Sequence, residues 1–150
     1  MLSGVSKPRI SIHMPMRLFP GRFDSLAAIS EFVVNGARAA GLDDLATYDV
    51  ELAVDEACCN IIEHAYGGQD IGEIECGYEV TDEGLTVILR DWGEAFEQST
   101  VDEIDFSKPL EEIGPRGAGL MMIRKAMDEV EFVFGKRSNV LKLKKKKAIN

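Results

Sequence analysis

The sequence has few residues suited to binding a transition metal: two histidines and three cysteines among 150 residues. It contains no HExxH or CxxC pattern, and Cys58 and Cys59 are adjacent, which suits neither a bridge between them nor a metal clamp. An odd number of cysteines leaves one unpaired in any disulfide scheme, so we expect reduced thiols. A zinc enzyme is therefore not expected.

Long apolar runs are also lacking. No segment approaches the ~18–20 apolar residues of a membrane span, and the first 25 residues contain no uninterrupted apolar stretch of signal-peptide length. We therefore expect a cytoplasmic protein that does not bind membranes.

Basic residues are scarce over most of the chain. Residues 1–135 carry 10 basic and 26 acidic groups, a charge of −16, whereas residues 136–150 carry seven basic groups and no acidic ones. A strongly acidic body repels a phosphate backbone, so we expect no direct binding of nucleic acid. The lysine run 144–147 is expected to belong to a solvated basic tail, about residues 144–150.

The length and the 45% hydrophobic content indicate one folded domain, residues 1–150. An alternating apolar pattern begins at Ile10 and continues through Met14, Met16 and Leu18, which predicts a strand. Pro15 lies within this pattern, and proline is best tolerated in an edge strand. Helix caps and β-rich runs predict the remaining elements. These are a helix from Asp24 or Ser25 to about Ala40, a longer helix from Asp43 or Asp44 to Gly67, a hairpin of strands at 73–81 and 84–91, a helix over 119–127, and strands at 130–134 and 140–143.

The segment 97–116 has two prolines, six acidic residues and no clear periodicity. Loops longer than ~12–15 residues in compact domains are commonly lids, binding loops or disordered segments. We therefore expect this segment either to have a function or to be disordered.

Three short motifs can carry chemistry, and the first lies on the long helix. Glu56 and Asn60 are four residues apart and therefore project from the same helix face. An asparagine oxygen suits Mg²⁺, and a carboxylate one turn away can accept a proton from a nucleophile. The alternative is an ordinary solvated helix face.

The second and third motifs are weak when each is taken alone. Asp91 ends a strand and can accept a hydrogen bond from an amine, while Gly93 lets a flat ligand approach the backbone; a simple turn is the alternative. Residues 116–120, Arg-Gly-Ala-Gly-Leu, form a glycine-rich turn entering a helix, which favours anion binding; a flexible loop is the alternative. Neither a Walker nor a GxGxxG pattern is present.

The order of the three motifs is more specific than any one of them. It resembles the Bergerat-type ATP-binding fold of histidine-kinase catalytic domains, gyrase B, Hsp90 and MutL, over about residues 10–145. The resemblance implies an α/β two-layer sandwich, with a mixed, mostly antiparallel sheet and helices on one face. Residues 56–66 and 127–132 also look like those of bacterial anti-sigma-factor serine kinases.

The resemblance implies a role for each matched residue. Glu56 would be the general base, Asn60 would hold Mg²⁺ against the phosphates, Asp91 would accept from the adenine amino group, and Gly93 would line the base pocket. One departure is visible near the last strand, where the family often has Gly-Thr and this chain has Ser138-Asn139. Asn139 could replace the threonine contact near the base.

The resemblance also implies that the glycine-rich motif would bind the phosphates beneath a lid formed by about residues 97–116. Gly117, Ala118 and Gly119 would cradle them, Leu120 would complete the nucleotide site, and Arg116 would contact the γ-phosphate. His64 and Tyr66 match the family pattern and are interpreted as structural residues at the helix end.

The function implied is an ATP- and Mg²⁺-dependent serine/threonine protein kinase that acts as an anti-sigma factor. Its phosphoacceptor would be an anti-anti-sigma factor with a STAS domain, its rival ligand a sigma factor, and a homodimer is expected. The alternative is a regulatory module that binds ATP as a switch and transfers nothing. Hydrolysis without a protein acceptor is disfavoured because the chain has no transducer domain.

Overall fold

The computed structural model describes residues 14–95, 107, 109 and 115–148, without the side chains of residues 115 and 116. These residues form one layer of strands and one of helices. The strands are β1 (Met16–Pro20), β2 (Glu73–Thr81), β3 (Gly84–Asp91), β4 (Glu129–Phe134) and β5 (Asn139–Lys146), and the helices are α1 (Leu26–Ala39), α2 (Asp44–Asn60) and α3 (Pro115–Ala126).

The strands form one sheet in the order β1-β2-β3-β5-β4. One face of the sheet buries Ile74, Val87, Leu89 and Leu143 beneath the helices. The other face, which we call the open face, is only partly covered. The predicted two-layer sandwich with helices on one side is confirmed, although every ladder among the described strands is antiparallel rather than mixed.

Strand β1 is an edge strand, as the proline at position 15 predicted. Its alternating apolar residues, however, face away from the core. Met16 and Leu18 are exposed on the open face, whereas Phe19 is buried. The Phe19 ring lies 6.1 Å from that of Phe32 in α1, centroid to centroid. A large aromatic side chain buries more apolar surface than the alternating methionines, so it decides which face meets the core. The predicted positions before residue 14 lie outside the described residues.

The boundaries of the first two helices agree with the predicted caps. The Asp43 side chain accepts a hydrogen bond from the Ala46 N–H at 2.8 Å, and α1 is followed by Gly41 at a φ of 77°. After Asn60 the helix widens into a π-helix over Ile61–Ala65, and Gly67 follows at a φ of 75°. Such π segments are frequent at functional sites.

Helix α3 begins at Pro115, four residues before the predicted start. Gly117 and Gly119 therefore lie in the first turns of the helix and not in a turn that precedes it. Proline at the first helical position explains the early start, because its fixed φ suits a helix and its missing N–H would be unpaired there in any case. Most of the predicted lid, residues 97–116, lies outside the described residues.

The expectation of a solvated lysine tail from residue 144 is wrong for Lys144 to Lys146, which belong to β5. This strand lies inside the sheet, between β3 and β4. The Lys145 ammonium donates to Asp49 Oδ2 at 3.0 Å and to the Ala126 carbonyl at 2.7 Å, and Lys144 pairs with Glu83 at 2.6 Å. The acidic body supplies these partners. Within the described ranges, no helix is long and apolar enough to cross a bilayer.

Candidate nucleotide site

A mostly apolar cavity lies between the end of α2, helix α3 and the ends of β3, β4 and β5. Four residues singled out from the sequence line it: Asn60, Asp91, Leu120 and Asn139. Its other walls are mainly apolar, and a few convergent polar groups in an apolar cavity are typical of small-molecule sites. The remaining lining residues are Ala57, Ile61, Ala65, Glu94, Ile123, Phe132, Phe134, Val140 and Leu141.

Asn60 is buried, with 9% of its surface exposed, at the last turn of α2. The alternative of an ordinary solvated face is therefore wrong for this residue. Glu56 lies one turn earlier and is half-buried. A Cβ atom placed on Gly119 would lie 2.9 Å from Glu56 Oε2 and 3.8 Å from Asn60 Nδ2. The glycine thus brings the start of α3 directly against the Glu56 and Asn60 pair.

Asp91 is 6% exposed at the end of β3. Its Oδ1 accepts two hydrogen bonds, one from the Gly93 N–H and one from Asn139 Nδ2, both at 2.9 Å. Burial raises the pKa of the Asp91 carboxyl, and the two hydrogen bonds oppose that rise because they favour the charged form. The carboxylate is thus a fixed acceptor in an apolar wall.

Gly93 packs against the end of the π-helix. A Cβ atom at this position would lie 2.4 Å from the Ala65 carbonyl oxygen, so a larger residue would require the backbone to move. The next residue, Glu94, donates its N–H to that same carbonyl at 2.8 Å. Gly93 is therefore required for close backbone packing here, and its predicted place in the base pocket stays a prediction.

Tyr66 connects the helix end to the same turn. Its hydroxyl accepts from the Trp92 N–H at 3.0 Å and donates to the Glu73 carbonyl. Its ring occupies the space above Gly72, where a Cβ would lie 2.2 Å from Cε1 of the ring. Tyr66 is structural, as interpreted from the sequence, but the structure adds that it fixes the backbone between Asp91 and Gly93.

The glycine-rich motif meets the cavity at one point. Leu120 lines it and is 2% exposed, while Gly117 and Gly119 are buried beside it. The backbone of Arg116 lies in the first turn of α3, and its side chain lies outside the described residues. The phosphate-binding roles of residues 116–119 stay predictions.

The described residues include no group of three or more histidine, cysteine or acidic side chains placed to hold a metal ion. An Mg²⁺ ion bound mainly by phosphates needs only one or two protein oxygens. The side-chain oxygen of the buried Asn60 amide is a hard donor of this kind. The residues present fit Mg²⁺ held together with a nucleotide.

Sequence reasoning missed the apolar walls of the cavity. Phe132 and Phe134 are two residues apart on β4 and lie 5.9 Å apart, centroid to centroid, at an interplanar angle of 13°. Both line the cavity, together with Leu141 of β5, which pairs with Phe132. Their period-2 spacing could have indicated a shared face, but not that this face borders a ligand site.

The protein is an α/β sandwich whose cavity lies between the last turn of α2, the aspartate that ends β3 and the glycines at the start of α3. This combination is typical of a nucleotide-binding class of protein. Residues 19–145 match the model of the histidine kinase-like ATPase domain, and the chain belongs to this family. It is similar to the serine-protein kinase RsbW of Bacillus cereus strain AH187, Bacillus anthracis strain A0248 and Bacillus mycoides strain KBAB4. Each is 31% identical over 131 residues, which cover 83% of this chain and 80% of the relative.

Proposed function

We propose that this protein is an ATP-dependent serine/threonine protein kinase that acts as an anti-sigma factor. The observation that carries the proposal is the position of Glu56. It lies one turn before the buried Asn60 and directly against Gly119. Asn60 and Asp91 line the cavity beside it. A protein that only binds a nucleotide has no need of a carboxylate at this place. The similarity to proteins named serine-protein kinase supports the same activity.

The chemistry of the cavity supports nucleotide binding. Asp91 accepts a hydrogen bond from the adenine amino group, and the apolar walls accommodate the flat base. Gly117, Ala118 and Gly119 receive the phosphates in the first turns of α3, where the N-terminal end of the helix and its dipole favour anions, and Leu120 completes the nucleotide site. Arg116 contacts the γ-phosphate. Bound Mg²⁺, held by Asn60, would neutralise phosphate charge.

Transfer requires mainly positioning, with Glu56 as the general base. The Glu56 carboxylate takes the proton of an acceptor serine or threonine hydroxyl. A bond forms between that hydroxyl oxygen and the γ-phosphorus, the bond to the bridging oxygen breaks, and ADP leaves. The acceptor belongs to an anti-anti-sigma factor with a STAS domain, and a sigma factor is the rival ligand. The action is cytoplasmic and involves neither nucleic acid nor membrane directly.

We also propose a homodimer formed through the open face of the sheet. Met16, Leu18 and Val133 expose 37%, 55% and 44% of their surfaces there. Met14, Ile88 and Val140 line the same face beside the partly buried pair of Arg90 and Glu75, whose side chains lie 3.4 Å apart. A self-complementary mixture of apolar and oppositely charged groups suits a two-fold interface.

The alternative is a switch that binds ATP and changes partner affinity without transfer. The test is incubation of the wild-type protein with γ-labelled ATP, Mg²⁺ and a candidate STAS protein, with binding measured in parallel. Label on the partner supports the kinase. Binding of Mg-ATP and partner without label on any candidate acceptor supports the switch.

A further inference from the structure

Asn139 lies at the meeting point of three strands near the cavity. It is the first residue of β5, is 9% exposed, and pairs with Asp91 of β3 on one side and Phe134 of β4 on the other. Its Nδ2 donates to Asp91 Oδ1 at 2.9 Å and to the Gly93 carbonyl at 3.1 Å. One buried side chain thus holds both ends of the Asp91 to Gly93 turn.

The orientation of this amide follows from its partners. A carboxylate oxygen and a backbone carbonyl are both acceptors, so only the NH₂ end of Asn139 can face them. The NH₂ group has two hydrogens, one for each partner. An acceptor in its place would face two further acceptors inside a buried site.

We propose that Asn139 is the positioning residue for base recognition: it fixes Oδ1 of Asp91 so that Oδ2 faces the base, and thereby selects a base with an exocyclic amine over one with a carbonyl. The proposal rests on the nucleotide function proposed above. The bond from the Gly93 N–H also goes to Oδ1, so two donors orient one carboxylate oxygen and leave the other for the ligand. A carbonyl-bearing base would place an acceptor against that oxygen.

The same contact favours the charged form of the carboxylate. Burial raises the pKa of Asp91, and the hydrogen bonds from Asn139 and Gly93 lower it. Removal of Asn139 therefore raises that pKa further, and Asp91 protonates at a higher pH. The other titratable groups near it in the described part of the chain are the Tyr66 phenol, on which the Asp91 charge acts, and Glu94, which lines the same cavity.

The test measures affinity for ATP and for ITP, in which a carbonyl replaces the amine, from pH 5 to pH 8 by titration calorimetry. The variants are Asn139→Ala, Asn139→Thr, which keeps a hydroxyl donor and suits a strand, and Asp91→Ala. Ser138→Ala is the matched control, because Ser138 contacts Gly135 through its main-chain carbonyl. Thermal unfolding verifies that each variant is folded.

We expect Asn139→Ala to weaken ATP binding by about tenfold, the effect of one hydrogen bond to a charged group, and to leave ITP binding little changed. The loss of ATP affinity on acidification should begin at a higher pH than in the wild type. Asn139→Thr should retain more of the ATP preference than Asn139→Ala, and Ser138→Ala should behave as wild type.

An unchanged ATP-to-ITP ratio and an unchanged pH profile in folded Asn139→Ala would overturn the proposal, as would equal losses in the alanine and threonine variants. If Asn139→Ala does not fold, the threonine variant decides. A wild-type ATP-to-ITP affinity ratio and pH profile in Asn139→Thr support the proposal, and loss of the preference for ATP in that variant contradicts it. Failure of the nucleotide function itself is distinguishable, because the wild-type protein would then bind neither ATP nor ITP.

Discussion

Gly119 lies so close to Glu56 that a single added methyl group would meet its carboxylate oxygen at 2.9 Å. This contact joins the start of α3 to the proposed general base. It gives the first prediction. Gly119→Ala should push the flexible end of Glu56 aside at little cost, while alanine favours the helix by up to ~1 kcal/mol. Phosphoryl transfer should therefore fall although thermal stability is unchanged or higher. Transfer at the wild-type rate would contradict the placement of Glu56.

Asp91→Asn should separate stability from nucleotide binding. Burial raises the pKa of Asp91 above that of an unfolded chain. The folded protein therefore loses stability as the pH rises through the interval between the unfolded and folded pKa values. The asparagine variant lacks that loss, and its amide oxygen can still accept from Gly93 and Asn139. We expect the melting temperature to fall less between pH 5 and pH 7.5 in Asp91→Asn than in the wild type. At pH 7.5 the variant should be at least as stable as the wild type.

The same substitution should weaken ATP binding by about 10- to 150-fold, because a hydrogen bond to a charged acceptor contributes ~1.5–3 kcal/mol. Calorimetric titration provides the measurement, and Asp91→Ala should show a similar loss. Wild-type affinity in either variant would remove the adenine assignment of Asp91.

Tyr66→Phe keeps the ring over Gly72 but removes the hydroxyl that joins Trp92 to Glu73. We expect a loss of ~1–3 kcal/mol in the free energy of unfolding, because the Trp92 N–H and the Glu73 carbonyl lose a partner. ATP affinity should fall several-fold as the Asp91 turn loosens. Urea unfolding and calorimetry test both expectations, and full stability would show that the hydroxyl contacts contribute little.

Leu18→Glu should dissociate the proposed dimer, because it places a charge among the exposed apolar side chains of the open face. Leu45→Glu is the matched control, since Leu45 is 72% exposed on α2. Analytical ultracentrifugation should show monomers for the first variant and dimers for the control. A wild-type protein that is monomeric at all concentrations would contradict the dimer.

Periodicity and caps predicted most of the architecture, because hairpin and cap signals are local. The strands at 73–81 and 84–91 were predicted at the positions where they are found. The face of β1 could not be predicted, since it depends on Phe19 meeting Phe32 of another element. The place of Lys145 in β5 likewise depends on Asp49 and Ala126, which are distant in sequence.

The candidate site shows the same division. The spacing of Glu56 and Asn60 predicted a shared helix face, and the structure adds that Asn60 is buried at a cavity. The contacts of Asn139 with Asp91 and Gly93 depend on strand pairing across 48 and 46 residues, which no local pattern encodes.

The most direct test of the proposed kinase compares Glu56→Gln with Asn60→Ala. Glu56→Gln keeps size and polarity but removes the base, so Mg-ATP binding should be retained while label transfer from γ-labelled ATP to a STAS acceptor falls by ~10²–10⁴. Asn60→Ala should instead weaken Mg-ATP binding itself, because it deletes the proposed metal ligand. Transfer by Glu56→Gln at the wild-type rate would contradict the account and leave catalysis to positioning alone.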